Sequence, residues 1–237
     1  MRSNNNIFIM LSKNQIKYKE VLELRKKGFS YSEIMKEVDV PKSTICDWVN
    51  KRELTIRQKD RLERKRIEAR LKGAKAQKDR RINKENQIEI FAKNNIEALI
   101  QDPLWLMGII LYWGEGNKSK PWRVGERVIF TNMDFEMVVV FKKWLIKKFG
   151  IDENDINYNL YIHDSYKKID KIKEFWSDKL SIKKDKIIIY YKRSKGDTLR
   201  KNIDLTYHGV MRLKVARSTD LNRKIMAYIK LLIKMWD

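Results

Sequence analysis

The segment from 55 to 101 limits the fold of this chain more than any other. It contains no Pro and one Gly, Gly73, and between Arg57 and Lys84 thirteen Lys or Arg stand against four Asp or Glu, a local net of +9. Gln, Glu, Lys, Arg, Ala and Leu dominate from Leu62 to Gln77, which predicts one or two long helices. Ile67, Leu71 and Ala74 give those helices only a thin apolar stripe, so a core has to be built on either side of them. The expected organisation is a tail (1–13), an N-terminal block (14–54), this basic helical linker (55–101) and a large C-terminal block (102–237). Two readings of the linker stand side by side. It is a solvated tether, or an arm tracking phosphates, each cation on a phosphate steepening the salt dependence of binding by about one log–log unit.

The imbalance extends to the whole chain, in which 53 Lys plus Arg against 31 Asp plus Glu leave a formal charge of +22. An acidic polymer is the natural partner of such a surface, but charge alone does not choose between DNA, RNA and an anionic membrane. A single cysteine, Cys46, excludes an intramolecular disulfide and a cysteine-rich zinc site, and a reducing, cytoplasmic and nucleoid-associated setting is expected. The longest uncharged apolar run, Pro103 to Gly114, has twelve residues, short of the roughly 18 that a spanning helix needs. No membrane association is expected. The apolar patch Ile7 to Ile9 is likewise too short for a signal peptide.

In the N-terminal block Ile16 to Lys27 predicts a helix facing inward through Val21 and Leu24 and closed by Gly28. Ser30 and Glu33 form a capping-box pattern for a second helix reaching Val38, with Ile34 and Val38 on one face. Asp39, Val40 and Pro41 break it, and a third helix begins near Lys42 with Ile45, Trp48 and Val49 buried. Three short helices with tight turns are what a helix-turn-helix requires, the last projecting polar N-terminal residues into a major groove. Lys42, Ser43, Thr44 and Asp47 are the residues placed to face bases. The run from Gly28 to Trp48 resembles the helix-turn-helix of resolvase and transposase families. A plain three-helix bundle for protein contacts is the competing reading.

The C-terminal block opens at Asp102-Pro103 with an apolar helix to about Trp113, ending in Gly114-Glu115-Gly116. A carboxylate at a helix C-terminus opposes the macrodipole and calls for a cation beside it. Strands are expected at Arg127–Asn132, Asn157–His163, Lys186–Arg193 and Leu205–Val215, and a short one between Lys118 and Val124. Helices are expected at Asp134–Phe149, Lys167–Leu180 and Ser218–Met235. This order predicts an α+β fold, helices covering one face of a largely antiparallel sheet. The other face is left for a partner, basic and aromatic through Arg127, Asn159, Tyr161, Lys192, Arg193 and Arg212.

The run Leu106 to Gly116, followed by Val128 to Asp134 and the helix to Gly150, resembles the LAGLIDADG homing-endonuclease domain over most of residues 103–182. The resemblance implies a mixed α/β domain whose signature helix packs against a second copy in a homodimer. It implies that Glu115, with Gly116 after it, holds Mg²⁺ at a scissile phosphate of double-stranded DNA. Gly114 matches the small residue that lets the two helices touch, Asn132 a polar residue near the water network, and Lys183 or Lys184 the basic residue after the third helix. Ile110 and Trp113 depart from the pattern where the family has a glycine and an acid. One acid–glycine signature per chain means that a full site needs two chains.

His163, His208 and Cys46 are isolated and offer no other route to catalysis. Three functions are compatible with these features. The first is a site-specific DNA-binding endonuclease of mobile-element type. The second is a transcription regulator that binds DNA on a related scaffold without cutting it. The third is an RNA-binding protein that stacks bases on the sheet.

Overall fold

The computed structural model describes residues 13–49, 54–120, 122–164, 166, 168–192 and 207–235, so the tail to residue 12 and Arg193 lie outside the described residues. The chain separates into two compact units between Arg81 and Ile82, inside the segment expected to be a linker.

The first unit contains α1 (Lys13–Lys26), α2 (Tyr31–Glu37), α3 (Lys42–Val49) and the start of α4 (Ile56–Leu99). Val21, Leu22, Ile34, Val38, Val40, Ile45 and Val49 form its core, and Tyr18 meets Trp48 edge to face at 5.4 Å. Gly28 ends α1 at φ 82°, a backbone conformation costly for other residues. The capping box is made in full: the Ser30 side chain accepts from the Glu33 N–H, and the Glu33 carboxylate accepts from the Ser30 N–H at 2.8 Å.

Glu33 also pairs with Arg61, at 3.1 Å, and with Lys65 of α4. Arg61 donates to the Gly28 carbonyl at 2.6 Å, so the first turns of α4 are part of this unit. Lys65 and the Ser30 N–H hold the Glu33 carboxyl far below its ordinary range, at about 2 against 4.5. A carboxyl so lowered stabilises the fold above about pH 4.5, and the contribution is lost as pH falls through about 2. Glu33→Gln keeps the capping box but loses both ion pairs. At pH 7 it should cost no more than about 1 kcal/mol, and the gap to wild type, read from hydrogen exchange of the α2 amides, should close between pH 4.5 and 2.

α4 is one helix of 44 residues. Ile67 and Leu71 stay exposed, as befits a thin stripe, but Ala92 and Ile96 are buried in the core of the second unit. The last turns of α4 are thus core rather than solvated linker.

The second unit comprises the end of α4, α5 (Pro103–Glu115), β1 (Ile129–Asn132), α6 (Phe135–Phe149), β2 (Ile156–His163), α7 (Ile169–Leu180), β3 (Ile187–Lys192), β4 (Val210–Val215) and α8 (Thr219–Lys234). It is α+β, with sheet order β1-β4-β2-β3. β4 runs antiparallel to both neighbours, whereas β3 is parallel to β2. The sheet is therefore mixed, because α7 carries the chain across between two strands that then point the same way. Among the described residues between Lys118 and Val124 there is an isolated bridge, Lys120 to Arg123, in place of the short strand expected there.

Asp102 caps α5 by accepting from the Trp105 N–H at 2.9 Å, and Lys148 beside it holds its carboxyl below the ordinary range. Gly108 sets the depth of α5 against α6, since a Cβ there would lie 2.1 Å from the Trp144 ring. Ser218 precedes α8 without capping it; its hydroxyl accepts from the Val128 N–H at 2.9 Å and donates to the Val215 carbonyl at 2.8 Å. The hydroxyl thus joins two strand ends and is not free to cap the helix it precedes.

Candidate nucleic-acid interface

Strand alternation sorts the sheet into two faces. Phe130, Tyr158, Leu160, Ile162, Ile187, Met211, Leu213 and Val215 are buried in one core with Trp105, Tyr112, Trp144, Trp176 and Tyr228 of the helices. The opposite set packs into no core. Across the strands it runs in three rows: Ile129, Lys214 and Asn157; Thr131, Arg212, Asn159 and Ile188; then Val210, Tyr161 and Tyr190. Lys192 and His163 lie beyond. Among the described residues no helix covers this face, and the four strands contain no Asp or Glu.

Arg212 organises the centre. Its Nε donates to Thr131 Oγ1 at 3.0 Å and its Nη1 to the Tyr161 hydroxyl at 2.7 Å. The guanidinium lies 4.5 Å from the centre of the Tyr161 ring, and that ring stacks on Tyr190 at 5.1 Å. Lys192 approaches the same ring at 5.7 Å. Such contacts fix the Arg212 head without neutralising it, so its charge stays available to a phosphate. Asn159 is nearly buried beside it, and Arg127 is exposed on the approach to β1. Exposed Tyr190 and Lys192 beside half-buried Tyr161, Arg212 and Lys214 combine the two features a nucleic acid would engage, cations for backbone charge and rings for bases.

Set against known proteins, the chain matches no family model, no curated protein and no solved structure. Its function is therefore read from the chemistry of its surfaces.

In the first unit Lys42, Ser43 and Asp47 are exposed on the leading turns of α3, and Thr44 is half-buried. Cys46 is half-buried on the same helix. A second cluster of polar residues is thus presented on one short helix.

Glu115, at the last turn of α5, is exposed and has no hydrogen-bond or ion-pair partner among the described residues. The cation expected there goes to the helix instead: Lys118 donates to the Gly114 carbonyl at 3.3 Å. Gly116 bridges to Phe130, which sets the end of α5 against the outer edge of β1. Asn132 does not reach into a site. Its Oδ1 accepts from the Asp134 N–H at 2.9 Å, an Asx turn leading into α6, and its Nδ2 faces Met137 Sδ. Lys183 and Lys184 precede the opposite edge strand, and Lys184 pairs with Glu174 at 2.8 Å. Gly116 and Ile187 end one row of the sheet, four strand spacings or about 19 Å apart. Within one chain the expected catalytic residues are therefore not gathered.

Glu115 stands as one carboxylate, and among the described residues no three His, Cys, Asp or Glu side chains cluster to hold a metal ion. His208 stacks on Phe175 at 3.7 Å, and burial pushes its pKa down. Sequence reading overlooked Lys214 and Tyr190, which one parity rule would have found: they share a face with Arg212 and Tyr161. It also overlooked Asn222, fully buried on α8. Asn222 donates to the Tyr112 hydroxyl at 2.7 Å and the Asn117 carbonyl at 2.9 Å, so it holds the chain just beyond Glu115. Among the described residues no helix is long and apolar enough to cross a membrane.

Proposed function

We propose that the chain is a site-specific double-stranded DNA-binding protein that lays the uncovered face of its sheet on the duplex. The face lined by Arg212, Lys214, Lys192, Tyr161 and Tyr190, with no carboxylate in its strands, carries this reading. In it α1–α3 act as a helix-turn-helix and Lys42, Ser43, Thr44 and Asp47 read bases. The LAGLIDADG-like scaffold of the second unit supplies the saddle. Fluorescence anisotropy with a labelled duplex tests it: affinity should fall steeply with salt, and single-stranded RNA at equal salt should compete less well than duplex DNA. Stronger competition by the RNA would favour the third function.

One observation supports the endonuclease as a second reading. α5 exposes Met107, Ile110 and Trp113 by about half each, and a Cβ added at Gly114 would meet nothing within 4 Å. Among the described residues of one chain nothing accounts for the bare stripe or the glycine. Pairing of two copies through α5 explains both, and brings two unpartnered Glu115 carboxylates together as the donors of a shared Mg²⁺ site. In this reading Trp113→Glu converts a dimer into a monomer of unchanged melting temperature, measured by light scattering. Glu115→Gln abolishes cutting of a selected target in Mg²⁺ and leaves its binding within about twofold. Binding without cutting by the wild-type protein identifies the regulator instead.

A further inference from the structure

The most exposed large apolar side chain described is Trp122, at 80%. It belongs to a tight turn in which Arg123 N–H donates to the Lys120 carbonyl at 2.9 Å and Lys120 N–H returns the bond at 3.2 Å. Lys120 Nζ lies 5.7 Å from the ring centre. From Asn117 to Gly125 the sequence holds three cations, Lys118, Lys120 and Arg123, and no acid. Leaving an indole in water costs the hydrophobic energy it would gain elsewhere, and no described packing accounts for its place.

The turn is rooted firmly. Ser119 donates to Asn222 Oδ1 at 3.1 Å, and Asn222 donates to the carbonyls of Asn117 and Arg127 on the two sides of the turn. The buried Glu126 carboxylate accepts from Asn117 and pairs with Arg123. Thr219 donates to the Gly125 carbonyl at 3.4 Å. Little conformational entropy is left to lose when the tip meets a ligand. Asn117 N–H donates to the Ile129 carbonyl at 2.9 Å, so the turn leaves from the outer edge of β1, the border of the uncovered sheet face.

We infer that Trp122 is a nucleobase-stacking wedge, inserted between bases of the duplex held by the sheet, with Lys118 and Lys120 on the flanking phosphates. A ring bordered by cations suits a base within an anionic backbone better than an apolar protein groove, and unstacked steps are where such side chains enter duplexes. The wedge rests on the DNA-binding reading and adds a preference that reading does not require.

The test compares anisotropy titrations of the full chain with a labelled duplex and with the same duplex carrying one unpaired nucleotide, at fixed salt. Wild type should prefer the bulged duplex by about tenfold, since its unstacking is already done. Trp122→Ala should bring the ratio to about one, and Trp122→Phe should retain most of the preference. At its exposure the variant loses no core packing, and an unchanged melting temperature verifies that. Wild-type binding to both duplexes with a ratio of one, or a preference that survives Trp122→Ala, overturns the wedge alone. No binding to either duplex overturns the wedge together with the DNA-binding reading.

Discussion

Replacing Arg212 and Lys214 together by Glu should weaken duplex binding by about a hundredfold at about 0.1 M salt and lower the slope of log Kd against log salt by nearly two units. Both side chains stand on β4, the strand flanked by β1 and β2, in adjacent rows of the uncovered face. A footprint covering that face cannot avoid them. The slope separates the account from a general loss of charge, because only cations that displace counterions from phosphates contribute to it. The fold should survive, since neither side chain belongs to the core; the bonds lost are those to Thr131 and Tyr161, on a face where water replaces them. Arg212→Lys keeps the charge and loses the fork that engages both partners, so its affinity should fall between the two. The same exchange at Lys183 and Lys184, before the far edge strand, should leave the slope nearly unchanged.

Gly108→Ala should cost about 3 kcal/mol or more, lowering the melting temperature of the second unit by roughly 10 °C. The new Cβ would fall within 2.1 to 2.3 Å of three Trp144 ring atoms, and Trp144 is itself fully buried beside Phe141 and Phe149. A ring wedged on all sides has no rotamer to retreat to, so α5 must lift away from α6. Gly114 gives the contrast. With nothing within 4 Å of a Cβ there, Gly114→Ala should leave one chain as stable or raise it by up to about 1 kcal/mol through helix propensity. If two copies pair through α5, that same substitution weakens the dimer while the fold gains. Calorimetry on the two variants separates packing within the chain from packing between copies.

Local signals were the legible ones. The capping box at Ser30 and Glu33, the left-handed Gly28 and Gly150, and the inward residues Ile34, Val38, Ile45 and Val49 follow from spacing and turn chemistry, which act over a few residues. The α+β class follows from the order of periodicities. Long-range decisions were not legible. Nothing local says that β3 runs parallel to β2, or that the end of a strongly polar helix buries Ala92 and Ile96. For the site, alternation placed Asn159, Tyr161, Lys192 and Arg212 correctly on one face. Asn132, expected near a water network, is held in an Asx turn, because an Asn closing a strand serves such a turn as readily as a ligand, and the choice depends on which N–H comes within reach. The buried Asn222, whose partners are about a hundred residues distant in sequence, gave no signal that one segment could carry.

Contact with DNA through the uncovered sheet face is tested most directly by photocrosslinking. A duplex substituted with bromodeoxyuridine is irradiated with the full chain, and the attached residues are mapped by mass spectrometry. Adducts at Tyr161 and Tyr190, lost on charge reversal at Arg212 and Lys214, are the predicted result. Adducts confined to the helices, for instance at Phe91 or Phe175, with Tyr161 and Tyr190 unmodified, would contradict it.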